Sequence, residues 1–345
     1  MGSSPPGHLR YIPETTLRAI LAHFGIENPV LIEPMEASKR NDNFIVGEGD
    51  RKYVLRRYRR NNDEMRVRFQ LSFQQHLLGS GFPTSEILPT QAGDSLVCEE
   101  SGLWSLFTFV EGSEFDFSSA TQVASAAQRL AQLHQAAPSF SDPEVVFEVN
   151  REWCDWWANG EGEIRQLAAM FADRGVDDDL AFLRGWYSEA IREWPAERVE
   201  RLPRGWMHGD WHGRNMVFVG DEVRGVFDYD PMRRGITIED VARAIFMFGR
   251  ESRPSRQIRP EVAPLFVEEY QRHHPLSDEE LNAIPFVMVA HWAPTVDYLA
   301  HARTRRRRCG RTFAPHRRAD AGSRARSWAI ARNACRGQSR RLNES

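Results

Sequence analysis

One short stretch of this chain combines acidic and amide side chains with a strand–turn–strand pattern. It begins with His208-Gly209-Asp210, reaches Asn215 five residues after Asp210, and ends at Asp228. Between Asn215 and Asp228, two short apolar segments flank Gly220-Asp221, a pair that favours a tight turn between antiparallel strands. The hairpin predicted in this way brings Asn215 and Asp228 toward each other, although thirteen positions separate them in the sequence.

These side chains suit the transfer of a phosphoryl group to a hydroxyl. Such a reaction needs a carboxylate that orients the attacking hydroxyl, and oxygen ligands that hold Mg²⁺ on the phosphates. Asp210 is the candidate for the first role, and Asn215 and Asp228 are the candidates for the second. The stretch therefore predicts phosphoryl-transfer chemistry.

The same stretch resembles the catalytic segment of the aminoglycoside phosphotransferase, choline kinase and type II homoserine kinase group. The resemblance rests on H-G-D-x-x-x-x-N followed by a hairpin and an Asp, which has the spacing of the protein-kinase patterns H-R-D-x-x-x-x-N and D-F-G. It implies a protein-kinase-like α+β fold with two lobes, a small antiparallel sheet and a mostly helical C-terminal lobe. It also implies that Asp210 is the catalytic carboxylate, that Asn215 and Asp228 bind Mg²⁺, and that ATP is the phosphoryl donor.

A different class of enzyme shares the opening of this motif. His208 and Asp210 match the start of a facial triad for non-haem Fe(II), which needs a distal histidine such as His273, His274 or His291. Oxygenases of this type are all-β jelly rolls, whereas this chain has many helical stretches. The kinase-like interpretation is therefore preferred, and iron in the purified protein would reverse the preference.

Apolar periodicity predicts a sheet-rich segment followed by a helical one. Residues 14–110 show one amphipathic helix and then short apolar strands between polar turns, which is typical of a small nucleotide-binding lobe in the resembled family. Residues 111–302 show helical periodicity that only the hairpin at 214–229 interrupts. This second segment is the predicted catalytic and substrate lobe.

The predicted nucleotide-binding residues lie in and just after the first segment. The family's phosphate-covering turn falls at Ser38 and Asn43, although its usual glycines are absent. Arg56 aligns with the strand lysine of protein kinases and would contact the α- and β-phosphates with a fork instead of a point charge. Phe109 and Val110 fall where the resembled family places main-chain groups against adenine.

The residue expected to pair with Arg56 departs from the family pattern. The family carries a Glu on the next helix, and this position falls on Gln70, which can hydrogen-bond an arginine but has no charge. Glu64, about two turns earlier, is a possible substitute. The departure keeps a nucleotide-binding pseudokinase open as an alternative, and the intact Asp210, Asn215 and Asp228 argue against it.

Three further residues have two possible roles each. Asp240 matches a family Asp that braces the catalytic loop, and it equally fits a simple acid in the first turn of a helix. His134 is expected to be a packed structural residue in preference to a ligand. Asp230 is expected to be a turn residue, with a hydrogen-bond acceptor behind the metal-binding Asp as the alternative.

Composition limits the remaining classes. The 345 residues contain no apolar run near 18 residues, and the N-terminus lacks the basic and apolar regions of a secretory signal. The four cysteines are scattered, with no metal-binding spacing. We therefore expect a cytoplasmic protein without a membrane partner.

Charge divides the chain unevenly. Residues 301–345 hold 14 Arg against Asp320 and Glu344, which leaves a surplus of 15 negative charges on the first 300 residues within a net charge of −3. Residues 303–345 are predicted to be a disordered or frameshifted Arg-rich tail, and nucleic-acid binding is not favoured. The acidic body favours a cationic acceptor such as an aminoglycoside or choline, but homoserine fits as well.

Overall fold

The computed structural model describes residues 12–35, 41–59, 63–141, 154–172, 175–253, 255 and 257–292. Ser38 and the Arg-rich tail at 303–345 lie outside the described residues. The described residues form two compact units. One contains the described residues within 12–114, 139–141 and 214–232, and the other those within 115–138, 154–213 and 233–292. The boundaries predicted at 110 and 302 stay predictions.

An antiparallel sheet comes first along the chain and a mostly helical part follows, which confirms the predicted α+β fold. Within the described residues the strands are β1 (Leu31–Pro34), β2 (Asn41–Glu48), β3 (Arg51–Tyr58), β4 (Ile87–Leu88), β5 (Val97–Glu99), β6 (Gly102–Thr108), β7 (Arg204–Met207), β8 (Met216–Val219), β9 (Glu222–Val226) and β10 (Arg233–Ile236). The helices in the same ranges are α1 (Glu14–His23), α2 (Glu64–Gly79), α3 (Ala120–Ala136), α4 (Cys154–Met170), α5 (Asp177–Glu193), α6 (Ala196–Glu200), α7 (Ile238–Gly249), α8 (Val262–Gln271) and α9 (Asp278–Trp292).

The first unit is built on a sheet in the order β1-β2-β3-β6-β4, with β5 also paired to β6. Every neighbouring pair is antiparallel. β2 and β3 are joined by a tight turn in which Gly49 has φ +56°, a conformation that glycine adopts without steric cost. The sequence predicted this hairpin.

The two faces of this sheet bury different helices. Because side chains alternate along a strand, one face carries Phe44, Val46, Leu55 and Trp104, which cluster with Leu17, Ile20 and Leu21 of α1. The opposite face carries Val54, Tyr58, Leu103 and Phe107, which cluster with Val67 and Leu71 of α2. Burying each of these large side chains contributes about 1.5–3 kcal/mol. Arg56 lies between Val54 and Tyr58 in sequence and therefore points to the α2 face.

The hairpin β8–β9 belongs to the same unit as the sheet. Its turn is Gly220-Asp221, as predicted, and Gly220 has φ +59°. Val226 donates its N–H to Pro83 O at 2.9 Å and accepts from Thr84 Oγ1 at 2.8 Å. Two main-chain bonds, at 2.8 and 2.9 Å, join Ser113 to Phe218 on the other strand. These bonds fix the hairpin within the sheet-containing unit.

The second unit is mostly helical. α3 packs on α8, and α7 packs on α8 and α9. Its core contains fully buried side chains from each of these helices, namely Leu130, Leu133, Ile245, Phe248, Phe266 and Ile284. No helix within the described ranges is long and apolar enough to cross a bilayer.

A second strand pair corrects the prediction that only one hairpin interrupts the helices. β7 and β10 form an antiparallel ladder from Arg233↔Met207 to Ile236↔Arg204. Each strand has four residues, one of them glycine, and neither alternates polar and apolar residues over a recognisable length. The ladder matters because β7 ends directly before His208 and β10 leads into α7.

Candidate active site

The loop after β7 turns sharply at its second residue. Gly209 has φ +76°, a conformation that side chains with a Cβ rarely adopt. His208 is fully buried, its Nδ1 accepts the N–H of Asp210 at 3.2 Å, and its ring meets the edge of Trp211 with centroids 5.3 Å apart. His208 therefore shapes the loop backbone, which is the structural role expected for it.

Asp240, in the first turn of α7, braces this loop. Its carboxylate accepts the N–H of His208 at 2.7 Å and the N–H of Gly209 at 2.9 Å, and only 1% of the residue is exposed. Burial opposes ionisation, but His134 at 3.4 Å outweighs it and holds the pKa of Asp240 below its usual range. His134 is itself packed against the Tyr270 hydroxyl at 2.7 Å, as expected of a structural residue. Of the two roles predicted for Asp240, the geometry supports the brace.

Asp210 is 8% exposed and lies beside two basic side chains. Arg243 of α7 forms an ion pair with its Oδ1, and His212 Nε2 lies 3.3 Å from the same oxygen. Burial raises the pKa of Asp210, but the hydrogen bond from His212 and the charge of Arg243 outweigh this and hold it well below its usual range. Asp210 is therefore a carboxylate throughout the neutral range, and it can accept a hydrogen bond from a hydroxyl.

Behind Arg243 runs a chain of polar contacts that sequence reasoning missed. Arg243 also donates to His291 Nε2, and His291 Nδ1 lies 3.1 Å from Glu239 Oε1. Glu239 in turn pairs with Arg233. Arg243 lies three residues after Asp240, so the two share a helix face, and that spacing was the only signal for it in the sequence.

The metal-binding candidates lie in the sheet-containing unit. Phe227 donates its N–H to Asn215 O at 2.8 Å, which sets Asn215 opposite the residue before Asp228. Asp228 has φ +66° and is the one non-glycine residue with positive φ among those described. Its buried Oδ1 accepts no hydrogen bond from any described residue, although Arg56 Nη1 lies 3.9 Å away. A buried carboxylate oxygen of this kind suits a hard cation such as Mg²⁺.

Arg56 lies on the same face of the sheet as Asn43, its partner across β2 and β3. Its Nε donates to Asn43 Oδ1 at 3.1 Å, and its Nη1 lies 3.9 Å from carboxylate oxygens of both Asp228 and Asp230. Burial lowers the pKa of Arg56, but the charges of Asp230 and Asp228 outweigh it and raise the pKa. Arg56 is therefore a buried, charged guanidinium shared between two carboxylates.

Asp230 makes more contacts around Arg56 than a residue with only a turn role would make. It is 4% exposed, and its Oδ2 accepts from Asn41 Nδ2 at 2.7 Å. Its main-chain oxygen accepts from Gln70 Nε2 at 3.3 Å and from Arg66 Nη2 at 3.2 Å. Asp230 does lie in a turn, and it also has the acceptor role left open as the alternative, because these bonds connect the segment after the hairpin to β2 and α2.

Glu64, the substitute partner proposed for Arg56, does not pair with Arg56. Glu64 pairs with Arg68 four residues along α2 at 2.8 Å, and both side chains are exposed. Gln70 bonds the backbone at Asp230, as described above. The negative charge facing Arg56 therefore comes from the segment after the hairpin, not from α2.

The segment proposed to meet adenine begins where β6 ends. Phe109 donates its N–H to Lys52 O at 3.1 Å, which extends the ladder by one residue, and Lys52 Nζ lies 5.7 Å from the centre of its ring. Phe109 and Val110 are both half-buried. Their contact with a nucleotide stays a prediction, and so do the phosphate contacts of Ser38 and Asn43.

The structure brings Asn43, Arg56 and Asp228 together in one unit, whereas Asp210 lies in the other. The iron-site alternative needs three ligands. Within the described ranges no three His, Cys, Asp or Glu side chains form a group that could hold a metal, and His291 contacts Arg243 and Glu239 instead. With an α+β fold, the described residues give that alternative no support.

Comparison with known proteins adds a family and a fold. A model described as the phosphotransferase enzyme family matches residues 32–276. The chain is 27% identical to the homoserine kinase of Chelativorans sp. (strain BNC1) over 278 residues, which cover 80% of this chain and 81% of that protein. It is 24% identical to the homoserine kinase of Methylobacterium nodulans, with 80% and 82% covered.

Solved structures share the fold at lower identity. An aminoglycoside phosphotransferase from Alicyclobacillus acidocaldarius superposes with a TM-score of 0.68 at 18% identity, covering 99% of this chain and 98% of that one. The amicoumacin kinase hAmiN, in complex with AMP-PNP, Ca²⁺ and Ami, superposes with a TM-score of 0.64 at 14% identity, covering 95% of this chain and 94% of that one. At these identities the likeness concerns the fold.

Proposed function

The chain belongs to the phosphotransferase enzyme family, and we propose that it transfers the γ-phosphoryl group of ATP to a hydroxyl of a small molecule. The observation that carries the proposal is the loop at His208-Gly209-Asp210. It presents a carboxylate that stays ionised, on a backbone that Asp240 braces with two hydrogen bonds. Asp228 supports it with an unsatisfied carboxylate oxygen in a strained backbone position.

In this proposal Asp210 acts on the acceptor. It accepts a hydrogen bond from the hydroxyl, whose oxygen forms the new bond to the γ-phosphorus while the bond from that phosphorus to the β,γ-bridging oxygen breaks. The hydroxyl proton passes to Asp210. A positioned acid–base group of this kind contributes about 10²–10⁴ in rate. Because the pKa of Asp210 is low, we assign most of its contribution to orienting the hydroxyl and the smaller part to removing the proton.

Asn215 and Asp228 would hold Mg²⁺, which when bound neutralises charge on the phosphates. Arg56 supplies a second positive charge from the sheet, and Asp230 keeps it in place together with Asn43. Charge of this kind is worth most in a buried position, and Arg56 is buried. These residues give the chain the parts of a working phosphate site, which argues against a pseudokinase.

For the acceptor, the similar sequences named above are homoserine kinases, and the similar structures carry names of kinases for other hydroxyl compounds. We therefore propose a small hydroxyl compound, with homoserine as the first candidate and aminoglycosides and choline as the next.

The test is an ATP-consumption screen of the wild type against amino alcohols, hydroxy acids, aminoglycosides, choline and sugars. The Asp210→Asn variant keeps the size of the side chain and should lose at least about 10²-fold in turnover while still binding ATP. Asp221→Asn, in the exposed turn of the hairpin, is the matched control and should behave as wild type. Normal turnover in Asp210→Asn would refute the role of Asp210, and ATP binding without any acceptor turnover would identify a pseudokinase.

A further inference from the structure

The carboxylate assigned to the acceptor hydroxyl is already engaged by a cation. Oδ1 of Asp210 contacts both Arg243 and His212. A hydroxyl that binds Asp210 through Oδ1 must therefore compete with a guanidinium for that oxygen. Breaking an Arg–carboxylate contact without replacing it leaves a partly buried charge unpaired, which is costly.

Arg243 is held in position by residues on the side away from Asp210. It is half-buried, and one arm of its guanidinium donates to His291. Since arginine can only donate, His291 Nε2 is the acceptor and its proton lies on Nδ1, which faces Glu239 at 3.1 Å. Arg233 pairs with the same carboxylate. These contacts keep the guanidinium of Arg243 in place while its other nitrogen, which contacts Asp210, exchanges one carboxylate for another.

A second cation follows the same helix. Arg250 comes directly after the last residue of α7, with an extended backbone at φ −64° and ψ 144°. It donates to the carbonyls of Met247 and Arg253, and no carboxylate pairs with it in the described part of the chain. Burial, followed by the charges of Arg243 and Arg253, lowers the pKa of Arg250. Arg250 therefore adds positive charge beyond the C-terminal end of α7.

We propose that Arg243 is a specificity-determining residue that binds a carboxylate of the acceptor and so releases Asp210 for the acceptor hydroxyl. This inference rests on the proposed function, since it names the class of acceptor for the same site. A carboxylate replaces Asp210 on the guanidinium by exchanging one charged pair for another, and the fork of arginine matches it with two parallel hydrogen bonds. An acceptor without a carboxylate breaks the Arg243–Asp210 pair and offers nothing in return.

This assignment reverses what the overall charge indicates. The excess of negative charge on the first 300 residues favours cationic acceptors. At Asp210, however, the local charge is that of a carboxylate already neutralised by Arg243. Local charge decides recognition because charges more than a Debye length away, about 8 Å at physiological salt, are screened when exposed.

The experiment compares acceptors that differ only by a carboxylate. The pairs are L-homoserine and 3-amino-1-propanol, L-serine and ethanolamine, and glycerate and ethylene glycol, each measured as kcat/KM with ATP and Mg²⁺. In the wild type the carboxylated member of the best pair should be preferred by about 10²-fold. In Arg243→Met this preference should fall to within about threefold, with the neutral member gaining turnover because it no longer has to displace a guanidinium from Asp210. Arg243→Lys should restore part of the preference.

Two controls separate recognition from folding. Arg234→Met removes an exposed arginine from β10 and should leave the preference unchanged. In the wild type alone, L-2-aminobutyrate, which lacks the hydroxyl, should inhibit competitively against the acceptor at least about tenfold better than propylamine. This measurement stands even if Arg243→Met does not fold.

The outcomes distinguish the two proposals. If the best acceptor in the wild type lacks a carboxylate, or Arg243→Met keeps the wild-type preference, the role of Arg243 is refuted and the phosphotransferase function stands. If no acceptor in these pairs or in the wider screen is phosphorylated, the proposed function fails and the acceptor class fails with it.

Discussion

Replacing Asp240 by alanine should both destabilise the second unit and slow the reaction. The carboxylate accepts two buried main-chain N–H groups, those of His208 and Gly209, at 2.7 and 2.9 Å. Alanine leaves both donors without an acceptor in a place that is 1% exposed in the wild type. The loop that carries Asp210 would lose the contacts that fix its backbone.

The size of the effect follows from those two bonds. A hydrogen bond to a charged group contributes about 1.5–3 kcal/mol, so losing two should lower the free energy of unfolding by about 3–6 kcal/mol. Whole domains are typically stable by about 5–15 kcal/mol, so this is a large fraction of the total. If Asp240 were only an acid in the first turn of a helix, the loss would be about 0.3–1 kcal/mol.

The assay is urea unfolding followed by tryptophan fluorescence, combined with kcat at saturating ATP. The matched control is Asp278→Ala, which removes an exposed first-turn acid from α9 and should cost no more than about 1 kcal/mol. Asp240→Ala should also reduce kcat at least about tenfold at temperatures where the variant is folded. Equal losses of stability in the two variants, with kcat unchanged in Asp240→Ala, would refute the brace.

Three further predictions concern Asp228, Gly213 and the pH dependence of Asp240. Asp228→Gly and Asp228→Ala should both lose Mg²⁺-dependent ATP binding, measured by calorimetry. The glycine variant should be more stable than the alanine variant by about 1 kcal/mol, because alanine must keep φ +66° at this position. Equal stability of the two variants would contradict backbone strain at Asp228. Gly213→Ala should cost about 1–3 kcal/mol and reduce turnover, because its Cβ would overlap Phe115, whereas Gly185→Ala in α5 meets open space and should be neutral or slightly stabilising in thermal melts. The pKa of Asp240 is lower in the folded protein, so its stabilisation is present above the unfolded value of about 3.9 and is lost as pH falls through the folded value. The stability difference between wild type and Asp240→Asn should therefore shrink below about pH 4, and a difference that stays constant down to pH 2 would count against this linkage.

Local patterns predicted much of the fold correctly. The turn at Gly220-Asp221 and the hairpin at Gly49 formed where glycine and polar residues separate apolar segments. Helices α2, α3 and α7 lie within two residues of the ranges that apolar periodicity predicts, about 62–78, 121–137 and 238–248. These elements depend on residues close in sequence, which is why their signals survive without knowledge of the tertiary structure.

The misses share a different property, since each depends on residues far apart in the chain. The β7–β10 ladder joins segments about thirty residues apart whose composition gives no strand signal. Asp230 gained its role from Asn41 and Gln70, which lie 189 and 160 residues away. No sequence pattern announces such a contact.

The sequence by itself determined the chemistry. An Asp, an Asn five residues on, a hairpin and a second Asp limit the chain to phosphoryl transfer, because the hairpin is a local structure that sets its own geometry. Only the tertiary structure decided what surrounds those residues. It placed Arg243 and His212 on Asp210, and it gave Arg56 its carboxylate partners from Asp228 and Asp230 in place of a residue on α2. The physical reason is that a charged group's behaviour depends on burial and on neighbours within about 4 Å, and only the folded chain brings those neighbours together.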